Sequence, residues 1–259
     1  MQVLWLFGLG LTGSLGLMTL LWIYYLYKRN AGIVDLGWIF CFLLTYLISI
    51  TCGSISAQNQ ILLSLMVLPW ALRLGWHLWD RYQPSIEDPR YTAIKKNWGK
   101  DPYGVKFLGM FLLQGALAAF VSAPFYVIGA DAMDSVGWLG VLGFLITVVA
   151  FVGEAIADYQ LREFRNNPEN IGKICDKGLW ALTRHPNYFF EWLVWVGITL
   201  FALENRFGPI ALISPVIMYY LLRYVSGVPM LEKHMMRSKK EAWEAYKARV
   251  PEFFPKIWP

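Results

Sequence analysis

The stretch VLWLFGLGLTGSLGLMTLLWIYYLY, residues 3–27, contains no charged residue. About 20 consecutive apolar residues are enough for a helix to cross the hydrocarbon core of a bilayer. We therefore predict that this stretch spans a membrane. The composition agrees, because 57% of the 259 residues are hydrophobic and 16% are charged, against about 45–50% and 25% in soluble domains. Such a chain is predicted to be an integral membrane protein, which excludes a soluble nucleic-acid binder.

Six further apolar stretches follow, and the same length criterion predicts that each is a transmembrane helix. They cover residues 32–51, 60–79, 105–129, 136–157, 187–203 and 207–222. Of the 23 Lys and Arg residues, 20 fall in the segments after the first, third, fifth and seventh stretch. Lys106, at the start of the fourth stretch, belongs to the same side and brings the total to 21. Because basic residues concentrate in cytoplasmic loops, we predict an all-α, polytopic protein of seven transmembrane helices. Its N-terminus is expected outside and its C-terminus in the cytoplasm.

Ionisable side chains inside spans are unfavourable in lipid and indicate functional sites by default. Those inside or at the ends of the predicted spans are Asp35, Arg73, His77, Glu154, Asp158 and Glu191. Asp35 is open to two interpretations. Either it belongs to a functional site, or it forms an ion pair with Arg73 that joins two transmembrane helices.

Residues 154–191 carry the most informative charge pattern. Two acids and two arginines share one helix face at spacings of four, four and three: Glu154, Asp158, Arg162 and Arg165. Arg184 and His185 precede a predicted helix, where the dipole disfavours cations unless an anion is bound. Arg165, Lys173 and Arg184 are therefore predicted to contact phosphates, either of a cofactor or of anionic lipid headgroups.

The sequence lacks the usual motifs of soluble nucleotide and metal sites. It contains no GxGxxG, no GxxxxGKS and no HExxH. The three histidines at positions 77, 185 and 234 are scattered, so no metal site is predicted.

Three short strings carry a resemblance to a known family. FRNNP (164–168), GLW (178–180) and RHPNY (184–188), followed by Glu191, resemble the C-terminal cofactor region of the membrane steroid 5-alpha-reductase and sterol reductase superfamily. The resemblance covers residues 150–259, including Glu232 and the terminal string VPEFFP at 250–255.

This resemblance implies an NADPH-dependent reduction of a carbon–carbon double bond in a lipid within the bilayer. It implies one transmembrane domain over 1–259, with substrate-side helices in 1–130 and cofactor-binding helices and cytoplasmic loops in 131–259. The cofactor site is expected on the cytoplasmic side, and no obligate protein partner is inferred. The residues assigned to the cofactor by position are Asp158, Arg162, Arg165, Lys173, Arg184, His185, Asn187, Tyr188, Glu191 and Glu232.

A second family is similar over the same region. The isoprenylcysteine carboxyl methyltransferases, which use S-adenosylmethionine, also carry an R-H-P-x-Y string and a terminal acid followed by a proline segment. Asn187, between Pro186 and Tyr188, and the preceding FRNNP favour the reductase. The methyltransferase remains the alternative.

Reduction of a conjugated enone needs hydride at the β carbon, which the cofactor supplies. It also needs a group that polarises the carbonyl oxygen and a proton at the α carbon. Burial raises the pKa of a carboxyl group, so a neutral acid is one candidate. Asp35, Glu87 and Tyr91 are the predicted catalytic residues on location and chemistry. The alternative for Glu87, Asp88 and Arg90 is a solvated turn with a local ion pair.

Overall fold

A computed structural model gives the fold and describes residues 1–99, 101, 104–132 and 136–256. In these residues all regular structure is helical, apart from an isolated β-bridge between Gln83 and Ile86. The predicted all-α class is therefore confirmed. Lys100, one of the basic residues counted above, lies outside the described residues.

The chain divides into two compact units, the first formed by Met1–Gly137 and Ala202–Ile213. Its helices are α1 (Gln2–Lys28), α2 (Ile33–Cys52), α3 (Ala57–Arg81), α4 (Pro89–Trp98), α5 (Val105–Val121) and α6 (Ala123–Gly129). Helix α1 packs on α2 and α5, and α2 also packs on α3. Large aromatic side chains fill this core, with Phe42, Trp70 and Phe111 fully buried.

Helices α5 and α6 correspond to one predicted apolar stretch, but they are bent by 45° relative to each other. The break falls at Ser122, just before Pro124, whose ring cannot donate a backbone hydrogen bond. At this break, the Ser122 hydroxyl forms a hydrogen bond of 2.7 Å with Thr45 Oγ1 on α2. All seven residues of α6 are buried, so this short helix belongs to the core of the first unit.

The second unit comprises Trp138–Phe201 and Ser214–Pro259. Its helices are α7 (Trp138–Asn166), α8 (Pro186–Ala202), α9 (Ile213–Tyr220), α10 (Val228–Ser238) and α11 (Lys240–Arg249), with a π-helical turn at Leu221–Val225. Helices α7 and α8 approach closely at two glycines. A Cβ atom on Gly197 would overlap Thr147 Oγ1, and one on Gly143 would overlap the Gly197 carbonyl.

Five helical segments of the described chain are long and apolar enough to cross a membrane: Gln2–Lys28, Ile33–Cys52, Ala57–Arg81, Trp138–Asn166 and Gly208–Ser238. The bent pair α5 and α6 makes a sixth if it forms one span. The predicted stretch 187–203 corresponds to α8, which has 17 residues and is therefore about 25 Å long. That is shorter than the roughly 30 Å of hydrocarbon in a typical bilayer, so the seventh span and the orientation stay predictions.

Candidate functional site

The three predicted catalytic residues lie close together in the first unit. The Tyr91 hydroxyl on α4 donates a hydrogen bond of 2.6 Å to Asp35 Oδ1 on α2. The second carboxylate oxygen, Asp35 Oδ2, accepts from Arg90 Nη2, also at 2.6 Å. Asp35 thus pairs with Arg90 and Tyr91, 55 and 56 residues away, rather than with Arg73.

Asp88 joins this cluster as the N-cap of α4. Its carboxylate accepts from the Arg90 backbone N–H at 2.9 Å and from Arg90 Nε and Arg81 Nη2 at 3.0 Å. Burial alone would raise the pKa of Asp88, but the hydrogen bonds from Arg90 and the charges of Arg90 and Arg81 lower it to about 2. The local ion pair expected for this turn is present, and Arg90 extends it to Asp35.

Glu87 has a different environment. Its Oε1 atom accepts from the Ala31 backbone N–H at 2.8 Å and from Lys95 Nζ at 2.7 Å. Lys95 also donates to the Arg29 carbonyl at 2.7 Å. These contacts fix the turn between α1 and α2 onto α4, so the Oε1 atom of Glu87 has a structural role.

A cavity of about 210 Å³ lies beside the cluster. Its polar lining comes from Asn30, Asp35, Arg81, Gln83, Glu87 and Asp88. Tyr91 is 6% exposed and does not line the cavity. Of the three predicted catalytic residues, Asp35 and Glu87 therefore line the cavity, and Tyr91 contacts Asp35 from outside the lining.

Arg81 and Arg90 were not among the predicted site residues. Arg81 lies 3.9 Å from Asp35 and 3.0 Å from Asp88, and its side chain is 49% exposed. Its Nε and Nη1 groups donate to no acceptor in the described part of the chain. The spacing of Arg73, His77 and Arg81, four residues apart on α3, is the sequence signal that could have indicated Arg81.

In the second unit, Glu232 on α10 is the centre of a partly buried ionic cluster. Arg184 donates to Glu232 Oε1 from Nε at 2.9 Å, and its Nη2 lies 2.7 Å from the same oxygen. His185 Nε2 is 3.4 Å from Oε1, and Lys247 Nζ is 3.3 Å from Oε2. Since only 8% of the Arg184 side chain is exposed, its charge is satisfied inside the protein.

The C-terminal segment 250–256 is bound along the loop that carries Arg184. The Arg184 backbone N–H donates to the Pro251 carbonyl, and Nη1 donates to the Val250 carbonyl, both at 2.9 Å. Thr183 Oγ1 donates to the Phe253 carbonyl at 2.9 Å, and the Lys256 N–H donates to the Leu182 carbonyl at 2.9 Å. The VPEFFP string thus holds the RHPNY turn in place.

The same loop is also bound to α7. Trp180 Nε1 donates to the Ala157 carbonyl, and the Leu179 N–H donates to Gln160 Oε1, both at 2.9 Å. Gly178 has a φ of 60°, and a Cβ atom there would overlap the Gln160 amide. Only glycine suits this left-handed, close-packed position, which accounts for the first residue of the GLW string.

His185 is 3% exposed and stacks on Tyr188 at a ring separation of 5.7 Å. Burial lowers the pKa of His185 and outweighs the opposing effect of the Glu232 carboxylate. The imidazole is therefore neutral at physiological pH.

The remaining predicted cofactor residues have contrasting surroundings. Arg162, Arg165 and Lys173 are exposed, and none of them forms an ion pair with another described residue. Asn187 Oδ1 is buried and accepts no hydrogen bond from the residues that the structure describes. The three cations and this acceptor are thus available to a ligand.

Two acids complete the predicted set. Glu191, on the first turns of α8, is 7% exposed and accepts from Trp195 Nε1 at 3.3 Å. Asp158 is partly buried on α7. Both lie in the second unit with the other predicted cofactor residues.

The fold and these clusters define a helical, multi-pass membrane protein with two polar sites. The chain belongs to the family described as "Protein of unknown function (DUF1295)", whose model matches residues 21–250. It is 23% identical to the uncharacterized protein C594.04c of Schizosaccharomyces pombe, over 97% of this chain and 80% of that protein.

Two relatives with described activities match over shorter regions. The Delta(14)-sterol reductase ERG24 of Saccharomyces cerevisiae is 32% identical over 135 residues, 44% of this chain and 28% of that protein. The probable O-methyltransferase ustE of Ustilaginoidea virens is 44% identical over 46 residues, 18% of this chain and 16% of that protein. No solved structure matches the chain significantly.

Proposed function

We propose that the protein is a membrane reductase that uses NADPH to reduce the double bond of a conjugated enone in a lipid. The observation that carries this proposal is the 135-residue similarity to a Delta(14)-sterol reductase. The geometry of the two polar sites is compatible with the chemistry that such a reduction requires.

The second unit contains the groups that would hold the cofactor. Arg162, Arg165 and Lys173 are exposed cations without an ionic partner among the described residues, and they suit the phosphates of NADPH. The Oδ1 atom of Asn187 is unpaired among the described residues. The Asn187 carboxamide can accept an N–H bond from the nicotinamide carboxamide and donate one to its carbonyl oxygen. When bound, NADPH supplies the hydride. Arg184 acts as a positioning residue, because Glu232 already binds its guanidinium.

The first unit contains the groups that would act on the substrate carbonyl. Asp35 accepts hydrogen bonds from Tyr91 and Arg90, and in this proposal it serves as an acceptor that orients its neighbours. The free N–H groups of Arg81 can donate to the carbonyl oxygen as enolate charge develops. Asp35 and Asp88 orient Arg81, and Tyr91 orients Asp35.

A second candidate is a methyltransferase that uses S-adenosylmethionine. It is favoured by the 44% identity to a probable O-methyltransferase over 46 residues. S-adenosylmethionine carries no phosphate, and the unpaired Arg162, Arg165 and Lys173 therefore favour NADPH.

One experiment separates the two activities. The purified full-length protein in lipid nanodiscs is mixed with NADPH carrying a labelled hydride and a panel of lipid enones. In parallel it is mixed with S-adenosylmethionine carrying a labelled methyl group and acidic or prenylated lipids. We expect label in a lipid product only from NADPH. Label arriving only from the methyl donor would replace the reductase by the methyltransferase.

A variant of Asn187 tests the cofactor site within the same assay. Asn187→Asp keeps the size of the side chain but removes its amide donor. We expect the hydride-transfer rate to fall by about tenfold or more, which corresponds to roughly 1.4 kcal/mol. NADPH binding through the phosphates should be largely retained. An unchanged rate would exclude Asn187 from the site.

A further inference from the structure

The cavity beside Asp35 allows a step beyond the reaction class, toward the kind of lipid that binds. We infer that it receives only a small, uncharged polar end of a flexible single-chain lipid and does not enclose a rigid four-ring nucleus. This inference rests on the proposed function for its relevance, but it concerns binding alone and can be tested without NADPH.

The size of the cavity is the first observation. Its volume is about 210 Å³, whereas pockets that enclose drug-sized ligands measure about 300–1,000 Å³. A carbonyl group with its neighbouring carbons fits into such a space. A fused four-ring skeleton requires a larger pocket.

The lining of the cavity is the second observation. Apolar atoms make up the larger part of the accessible lining, and Leu78, Ile86 and Pro89 are among the residues that line it. The same lining also contains the carboxylates of Asp35, Glu87 and Asp88 and the guanidinium group of Arg81. A four-ring nucleus would place apolar carbons against carboxylates and guanidinium groups, which is unfavourable without compensating hydrogen bonds. Ile86 is 66% exposed, so an apolar chain would continue past it and out of the cavity.

The charge of the cluster is the third observation. Three carboxylates are matched by three cations: Asp35, Glu87 and Asp88 with Arg81, Arg90 and Lys95. An anionic headgroup would compete with Asp88 for Arg81 and leave a partly buried charge uncompensated. The free N–H groups of Arg81 need only an acceptor, and a neutral carbonyl oxygen provides one.

Binding of saturated ketones tests this inference, because they retain the carbonyl oxygen and cannot undergo double-bond reduction. The probe is a radiolabelled straight-chain methyl ketone of fatty-acyl length, measured by equilibrium dialysis with the full-length protein in nanodiscs. The competitor is a saturated four-ring 3-ketone. We expect specific binding of the chain ketone and no competition from the four-ring ketone at equal concentration.

Two tryptophan variants connect binding to the cavity. Gln83→Trp places a large side chain in the lining, whereas Ser85→Trp alters the same exposed turn outside the lining. We expect Gln83→Trp to weaken chain-ketone binding by roughly tenfold or more, a difference of one decade in Kd, and Ser85→Trp to leave it unchanged. Thermal unfolding of both variants shows whether each is folded.

The possible results distinguish this inference from the proposed function. Effective competition by the four-ring ketone, with the same loss in Gln83→Trp, would overturn the single-chain assignment and leave the reductase standing. Equal binding by both tryptophan variants and the unmodified protein, or no binding of the chain ketone, would show that the cavity is not the lipid site. Chain-ketone binding without any hydride transfer in the labelled assay would retain the cavity assignment and remove the reductase.

Discussion

Arg165 and Arg184 carry the same charge, but their surroundings give them different roles. Arg165 is exposed at the end of α7 without an acidic partner among the described residues. Arg184 is 7% exposed and is bound to Glu232 and to the Val250 carbonyl. Both were assigned to the cofactor by position in the sequence, since burial of a side chain cannot be inferred from a motif. The structure favours Arg165 for a phosphate contact.

Replacement of Arg165 by Ala should therefore weaken NADPH binding without unfolding the protein. The expected loss is about 1.5–3 kcal/mol, the range for a hydrogen bond to a charged group. Isothermal titration at low and high salt measures it, and the difference from the unmodified protein should shrink as salt screens the charge. The control is Arg237→Ala, which removes an equally exposed arginine from α10. Equal losses in the two variants would indicate a general effect of charge.

His185 makes a prediction about pH. Because burial lowers its pKa in the folded protein, the unfolded chain binds a proton more readily, with a pKa of about 6.5. The stability contributed by neutral His185 is fully present above the pKa of the unfolded chain. It is lost as the pH falls from there toward the lowered pKa of the folded protein. One such proton changes the free energy of unfolding by at most about 1.4 kcal/mol per pH unit.

Thermal unfolding at pH 7.5 and 5.5 measures this dependence. We expect the unmodified protein to lose more stability on acidification than His185→Gln does. His234→Gln, which changes an exposed histidine on α10, should behave like the unmodified protein. The role of His185 would be refuted by identical pH dependence in His185→Gln and the unmodified protein.

At the scale of helices, the contact of α7 with α8 depends on two residues that lack side chains. A Cβ atom at Gly197 would overlap Thr147 Oγ1, and the neighbouring Gly143 carbonyl lies 2.7 Å away. Gly197→Ala should therefore force the two helices apart and destabilise the second unit by about 1–3 kcal/mol, as overpacking does. Reversible unfolding in detergent, followed by circular dichroism, provides the measurement.

Gly16→Ala on α1 is the matched control, because a Cβ atom at this position meets nothing within 4 Å. Alanine favours the helix over glycine by about 0.5–1 kcal/mol. This variant should be neutral or slightly more stable than the unmodified protein. Similar losses of stability in both variants would mean that close contact between α7 and α8 does not cause the effect of Gly197→Ala.

The elements also show how far the sequence determines the fold. The uncharged stretch 3–27 predicts α1 (Gln2–Lys28) to within one residue at each end, because hydrophobicity is a local property. The stretch 105–129 predicts one helix, and the structure breaks it at Ser122, where Thr45 from another helix supplies a hydrogen-bond partner. Pro124 marks the region of the break in the local sequence, but the partner on α2 is not visible there.

The sites show the same limit. Asp35 and Tyr91 could be predicted as candidates from their chemistry and location, but the pairing of Asp35 with Arg90 joins residues 55 positions apart. Arg184 and Glu232, 48 positions apart, form the corresponding pair in the second unit. Pairings between distant residues depend on tertiary packing, so the sequence could suggest the participants without indicating which charges remain available to a ligand.

At the scale of the whole molecule, the number of spans determines on which side each end of the chain lies. Five helical segments and the bent pair α5 and α6 give up to six spans, and an even number leaves both ends on one side. Helix α8, with 17 residues, lies at the lower limit of about 17–25 for a transmembrane helix. If α8 crosses the bilayer, the ends lie on opposite sides.

The distribution of charge favours seven spans, because 21 of 23 basic residues fall on one side only under that division. We therefore expect a reporter fused after Pro259, a position outside the described residues, to be cytoplasmic and an epitope tag before Met1 to be external. Protease protection in sealed vesicles and antibody access in intact cells measure the two ends independently. A control fusion with a reporter of known orientation establishes that the vesicles are sealed. Detection of both ends on the same side would eliminate the seven-span arrangement and indicate that α8 does not cross the membrane.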